Sequence, residues 1–227
     1  MDPRLRAAVD ANVGWYEDVC AWHATASVLR DGLWSTVGPP PPLHSGVVVV
    51  EPGVEVEQVL ERWHGTDGGV KDSFTDVDLD EHGFEVLFAA SWVHRPPPPV
   101  PRSRPAGWSV VRTPGQLTAW TGGHDTADVL LPVLLRSAHL VVLGRQLDGV
   151  QVAGAVARLG TGTVDLSNVH AAPGHAVDWD ELAAVVAHLF PGRQLVGYEG
   201  GDDLDAAVAG GFSVTGALRV WVPAPPG

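Results

Sequence analysis

The sequence predicts an α/β fold built as two successive lobes, each a mixed sheet flanked by helices. Three observations predict it. Segments with strand patterning alternate with segments of helical periodicity along the whole chain. The run Pro96-Pro97-Pro98-Pro99-Val100-Pro101, continued by Arg102-Ser103-Arg104-Pro105, fixes φ and removes amide donors, so it favours an extended spacer over a packed element. A similar sequence also occurs on both sides of that spacer. Asp78-Leu79-Asp80 leads to Gly83-Phe84 and then Trp92-Val93, much as Asp203-Leu204-Asp205 leads to Gly211-Phe212 and then Trp221-Val222. The expected organisation is an abbreviated lobe over 1–95, a linker over 96–106 and a complete lobe over 107–227.

In chain order, residues 4–23 read as a helix because Trp15, Val19 and Trp22 recur on one helical face. Pro39 to Pro42 marks an exposed loop, and the valines of 47–50 form a buried strand. Residues 55–63 are a short helix with Val56, Val59, Leu60 and Trp63 on one side. Strand segments at 70–74 and 84–93 flank a brief turn or helix at 78–82 that ends on Gly83. After the spacer, 108–112 is a strand, and Thr113-Pro114 is a helix start with proline at the first helical position. Residues 129–138 read as a helix with Pro132 in its first turn. Strands over 140–145 and 150–158 are joined by an Asp148-Gly149 turn, and 163–170 continues the meander. Asp178 and Glu181 have the spacing of a capping box before a helix carrying Leu182, Val185, Val186 and Leu189. A strand at 194–198, a short helix at 203–209 and a strand at 212–222 complete the chain.

Composition narrows the partners. Among 227 residues, 27 acidic side chains outnumber 14 basic ones, a formal charge of -13, and Lys71 is the only lysine. A field of that sign repels phosphate backbones and anionic headgroups, so neither nucleic acid nor a membrane surface is an expected partner. Cys20 is the only cysteine, which excludes an intrachain disulfide and a thiolate metal cluster. The N-terminus lacks a signal-like apolar segment, and a cytoplasmic location is expected. Of the nine tryptophans, Trp34, Trp120 and Trp179 lie near predicted loops and are candidates to line a pocket or a homodimer face.

The order of elements after residue 107 resembles the GNAT superfamily of acyl-CoA-dependent acyltransferases. Three local features carry the resemblance: Arg145-Gln146-Leu147-Asp148-Gly149 before Val152-Ala153-Gly154; Leu166-Ser167-Asn168-Val169-His170 before Pro173; and the short helix into Gly211-Phe212 with its closing strand. The resemblance covers about 107–222 and implies a GNAT-like fold for each lobe, with acetyl-CoA as co-substrate and a small-molecule amine as acceptor. It places the pantetheine on backbone groups of Asn168, Val169 and His170, where two strands splay. It offers Glu199 as general base and Tyr198 as a source of a hydroxyl. The alternative reading leaves Glu199 in a solvated turn and Tyr198 as packing.

Two departures from the family's pattern bear on activity. Where the family grips the pyrophosphate on a glycine-rich helix start, this chain has Pro173-Gly174-His175-Ala176-Val177-Asp178-Trp179-Asp180-Glu181, whose carboxylates oppose an anion at the helix dipole. The tyrosine that commonly acts as general acid aligns with Ala207, and with Leu79 in the first lobe. The expected function is therefore N-acetyl transfer to a small amine, or, alternatively, a catalytically inactive GNAT-like module that binds a ligand or a protein. His170 and His175 lack a third ligand of known placement, so no metal is expected. Ser73 and Ser167 have no neighbouring base in the sequence.

Overall fold

The computed structural model of the protein describes residues 1–63 and 68–225. The long helix α1 (Pro3–Trp22) starts where Asp2 accepts a hydrogen bond from the Arg4 amide, with proline in its first turn. The hairpin β1 (Ala26–Arg30) and β2 (Leu33–Val37) follows, then β3 (Val47–Val49), α2 (Val56–Trp63), β4 (Val70–Asp72) and the long β5 (Phe84–Arg95). Beyond the proline run come β6 (Trp108–Val110), α3 (Pro114–Thr121), β7 (Leu140–Leu147), β8 (Val150–Leu159) and β9 (Thr163–Ala171). The chain closes with α4 (Trp179–Leu189), β10 (Gln194–Glu199), α5 (Gly201–Ala209) and β11 (Ser213–Pro223).

Among the described residues, eleven strands form one mixed sheet in the order β1-β2-β3-β4-β11-β5-β10-β9-β8-β7-β6. Strands from either side of the proline run alternate at its centre: β11 lies between β4 and β5, and β5 between β11 and β10. The β5–β11 register is symmetric. Ala90 faces Leu218, while Trp92–Gly216 and Phe88–Val220 lie on either side of that pair. Carried outward, Val220 pairs with Lys71 of β4 and Trp92 pairs with Tyr198 of β10, so Lys71 and Tyr198 occupy corresponding positions.

Side-chain alternation divides the core into two faces. One face carries Trp34, Val48, Trp92, Val156, Val196 and Val220 and is covered by α1 and α3. The opposite face meets α4 and α5 through Val93, Leu166 and Leu195, and meets α2 through Leu33, Val47 and Val49. Helix α1 lies across the middle of the sheet, touching β5, β9 and β10.

Several sequence expectations change. Asp31 and Gly32 both have positive φ and close an Asp-Gly hairpin between β1 and β2, two strands that the sequence pattern did not reveal. The helix expected over 129–138 is only a 3₁₀ segment, Pro132–Arg136. Leu131, preceding a proline, is extended at ψ 149 and blocks an α-helix from entering earlier. Trp34, Trp120 and Trp179 are buried rather than lining a pocket or an exposed face. Trp34 packs edge-on against Tyr16, Trp120 donates to the Leu143 carbonyl, and Trp179 packs on Phe212.

One glycine controls how closely β9 and β10 approach. A Cβ at Gly197 would stand 2.7 Å from the Leu166 carbonyl oxygen of the facing strand. Backbone cannot yield as a flexible side chain does, so Gly197→Ala is expected to destabilise the protein by about 1–3 kcal/mol. Guanidinium unfolding of the variant measures this.

Candidate functional site

The site forms where β9 and β10 stop pairing. Their parallel register runs from Thr163–Gln194 to Leu166–Gly197 and ends there. Beyond it, β9 bulges: Asn168 adopts φ 51, and the register against β8 shifts between Gly154 and Val156. The two strands separate, leaving backbone of Ser167 to Val169 along one side and Tyr198 and Glu199 along the other. A cavity of about 180 Å³ occupies the gap, roofed by Asn12, Trp15 and Tyr16 of α1 and closed by Leu43 and His44.

Asn168, Val169, Tyr198 and Glu199 are thus brought together at one cavity. The side chain of His170 is not. Its ring stacks on His124 at 4.4 Å and meets Trp120 edge-on at 4.6 Å, over the space that Gly154 leaves. Burial lowers the His170 proton affinity, which makes the ring a neutral packing group beside α3.

Glu199 has the electrostatics of a base poised near neutral pH. Burial, with Asp203 in the first turn of α5 as the second cause, pushes its carboxyl up to about 8. Tyr198 stays a neutral phenol, its pKa driven up by burial and by the nearby Tyr16, Glu199 and Asp165. Its ring stands edge-on to Trp92 at 5.5 Å and beneath the Lys71 ammonium nitrogen, which lies 3.9 Å from the ring centroid.

His44 sits between a donor and an acceptor. Its Nε2 accepts from the Trp15 indole at 3.1 Å, so its Nδ1 carries the proton and donates to the Pro42 carbonyl at 2.8 Å. Burial drops its pKa to about 4, and the imidazole at the cavity wall is neutral. Sequence reasoning missed His44, Asn12 and Lys71 as neighbours of this site. Lys71 was visible only as the single lysine of the chain, which does not by itself place it at this site.

The start of α4 is already occupied by its own charges. Asp178 accepts from the Glu181 amide at 2.9 Å. Arg95 binds Asp180 at 2.6 Å, and Arg145 and the Trp108 indole bind Glu181 at 2.8 and 3.0 Å. Arg95 and Arg145, the arginines at this helix start, hold carboxylates. Ala207 and Leu79, which the resemblance aligned with a general-acid tyrosine, are fully buried core residues. Among the described residues no group of three or more His, Cys, Asp or Glu side chains converges as a metal site, and no helix is long and apolar enough to cross a membrane.

Solved structures share this architecture over nearly the whole chain. A GCN5-related N-acetyltransferase from Kribbella flavida superposes with a TM-score of 0.65 at 18% identity, covering 96% of each chain. A GNAT-family protein from Novosphingobium aromaticivorans gives 0.61 at 13% identity, covering 99% of this chain and 98% of that one. A GCN5-related N-acetyltransferase-like protein from Streptococcus suis gives 0.55 at 12% identity, covering 98% and 99%. The fold is that of the GNAT acetyltransferases. No protein-family model and no curated protein matches the sequence. Within that fold β9 and β10 stop pairing beyond Leu166–Gly197, and the acidic residues Asp178, Asp180 and Glu181 stand at the start of α4.

Proposed function

We propose that the protein is an acyl-CoA-dependent N-acetyltransferase acting on a small amine. The observation that supports it best is Glu199, a carboxyl with a pKa of about 8 at the mouth of the gap between β9 and β10. In this reading the pantetheine arm pairs with backbone of Asn168, Val169 and His170 on the side of β9 that β10 has left. The acceptor amine attacks the thioester carbonyl as Glu199 takes its proton. The C–N bond forms, the C–S bond breaks, and CoA leaves as the thiolate. The role left to Tyr198 is to present its hydroxyl to the cavity while its ring is held by Trp92 and Lys71. We also propose that the halves before and after 96–106 are diverged copies that exchange their last strands, a reading supported by the symmetric β5–β11 register.

A specific observation supports a second reading, a catalytically inactive module that binds a ligand or a protein. The carboxylates at the start of α4 satisfy the helix dipole themselves and oppose a pyrophosphate. Calorimetric titration with CoA and acetyl-CoA at low salt decides between the two. Binding with a dissociation constant below ~1 mM supports the transferase. The double variant Asp180→Asn/Glu181→Gln removes the opposing charges and is expected to tighten CoA by about 3–10-fold, the effect of one or two charges at a helix terminus. No heat at millimolar CoA with either protein would sink the transferase reading.

A further inference from the structure

A second cavity, of about 380 Å³, adjoins the first and is not used by the chemistry above. Tyr16, Leu43, His44 and Tyr198 contribute to both. Leu87 and Phe88 of β5 and Val220 and Val222 of β11 supply apolar walls, and Ser45, Gly68, Gly69 and Lys71 complete the lining. These β5 residues have no β10 neighbour, because pairing with β10 covers only Ser91 to Arg95. Leu43, Leu87 and Phe88 accordingly present large apolar surface around the mouth, at 79%, 60% and 39% exposure.

One charged group faces this apolar space. Lys71 lines the cavity with 1% of its surface exposed. Its ammonium donates to Asn12 Oδ1 at 3.1 Å, and the rings of Tyr198, Tyr16 and Trp92 lie 3.9, 5.3 and 5.6 Å away. An ammonium carries three donors, and aromatic faces stabilise its charge without forming an ion pair. The neighbouring imidazole of His44 is neutral, and burial lowers the Lys71 pKa to about 7, so Lys71 is the one group on that wall that an arriving carboxylate can hold as a cation. In a chain of net charge -13, a cation at the base of an apolar cavity is the feature that can hold an anion there.

We infer that this cavity binds an apolar molecule bearing a carboxylate, with the carboxylate set against the Lys71 ammonium and the apolar body against Phe88, Val220 and Val222. On the transferase reading proposed above, that molecule is the acyl acceptor, an apolar amine that also carries a carboxylate. Tyr198 and His44, shared by both cavities, form the boundary across which the amine reaches Glu199.

The test needs no acyl-CoA, so its failure and that of the transferase reading are separable. Tryptophan fluorescence would follow binding of 3-phenylpropanoate and of its neutral isostere 3-phenylpropanamide to the full chain. The carboxylate is expected to bind at least tenfold tighter than the amide, and Lys71→Met is expected to abolish that preference. Equal affinity for the two probes, or a preference that survives Lys71→Met, overturns the inference. A second measurement on the unmutated protein does not depend on the variant's folding. Lys71 is the only lysine, so reductive methylation followed by mass spectrometry reads one side-chain amine, with the N-terminal amine as internal control. 3-Phenylpropanoate should slow Lys71 labelling several-fold and 3-phenylpropanamide should not. Equal labelling with both overturns the assignment.

Discussion

Glu199→Gln is expected to lower kcat for acetyl transfer by about 10²–10⁴-fold, the usual contribution of a positioned base. The substitution preserves shape and removes only the ability to accept a proton. Its pH dependence provides the sharper reading. The base acts as the carboxylate, and burial with Asp203 raises the Glu199 pKa to about 8. On the transferase reading, the rate of the unmutated protein should therefore climb about tenfold per pH unit below that value and level off above it. Glu199→Gln should lose that rise. Asp203→Asn removes the repelling neighbour and should move the rise to lower pH with the plateau intact. A flat profile in the unmutated protein would remove Glu199 from the base role.

The same shift carries a stability consequence of fixed sign. A carboxyl with a raised folded pKa holds a proton that the unfolded chain releases, so its stabilising contribution is lost as pH rises from the unfolded value of 4.5 toward 8. Glu199→Gln should be insensitive to that loss. A variant that is less active yet comparatively more stable at pH 8 would separate a functional carboxyl from a packing one.

Local chemistry explains which parts of this molecule were legible. The Asp148-Gly149 hairpin and the Thr113-Pro114 helix start were readable because each is written in adjacent residues, and both form: Asp148 and Gly149 adopt positive φ, and Thr113 and Gln116 make a reciprocal cap. Asp31-Gly32 carries the same turn signal, but β1 is exposed at every position and shows no alternation to announce a strand. Asn168, Val169, Tyr198 and Glu199 could be named because the resemblance placed them at two neighbouring strand ends. Lys71 and Asn12 could not. Their meeting with Tyr198 depends on β11 and β5 lying between β4 and β10, a long-range pairing that leaves no mark in any short window of sequence.

Lys71→Met is expected to stabilise the protein near pH 7, and the gain should vanish as pH rises. Burial lowers the Lys71 pKa from 10.5 to about 7, with Asp165 the nearby charge that partly opposes the shift. Between those values the unfolded chain binds a proton that the folded chain resists, so unfolding is favoured at lower pH and stability rises with pH through that window. At about 1.4 kcal/mol per unit, ionising or neutralising this amine costs the native state about 3–5 kcal/mol at pH 7. Methionine fills a similar volume without the charge, but leaves the Asn12 oxygen without its donor, a loss of about 1–3 kcal/mol. The expected net gain is about 2 kcal/mol near pH 7, falling through zero and becoming a loss as pH approaches the unfolded value. Asp165, with a pKa raised to about 7 by its own burial, is ionised through most of that window and does not reverse the trend. Guanidinium unfolding of both proteins from pH 7 to 10 would reveal the crossing. A constant difference across that range would mean that the folded state keeps Lys71 charged, held by the rings of Tyr198, Tyr16 and Trp92. The amine would then cost the fold little, and its ammonium would be fully formed before any carboxylate arrived.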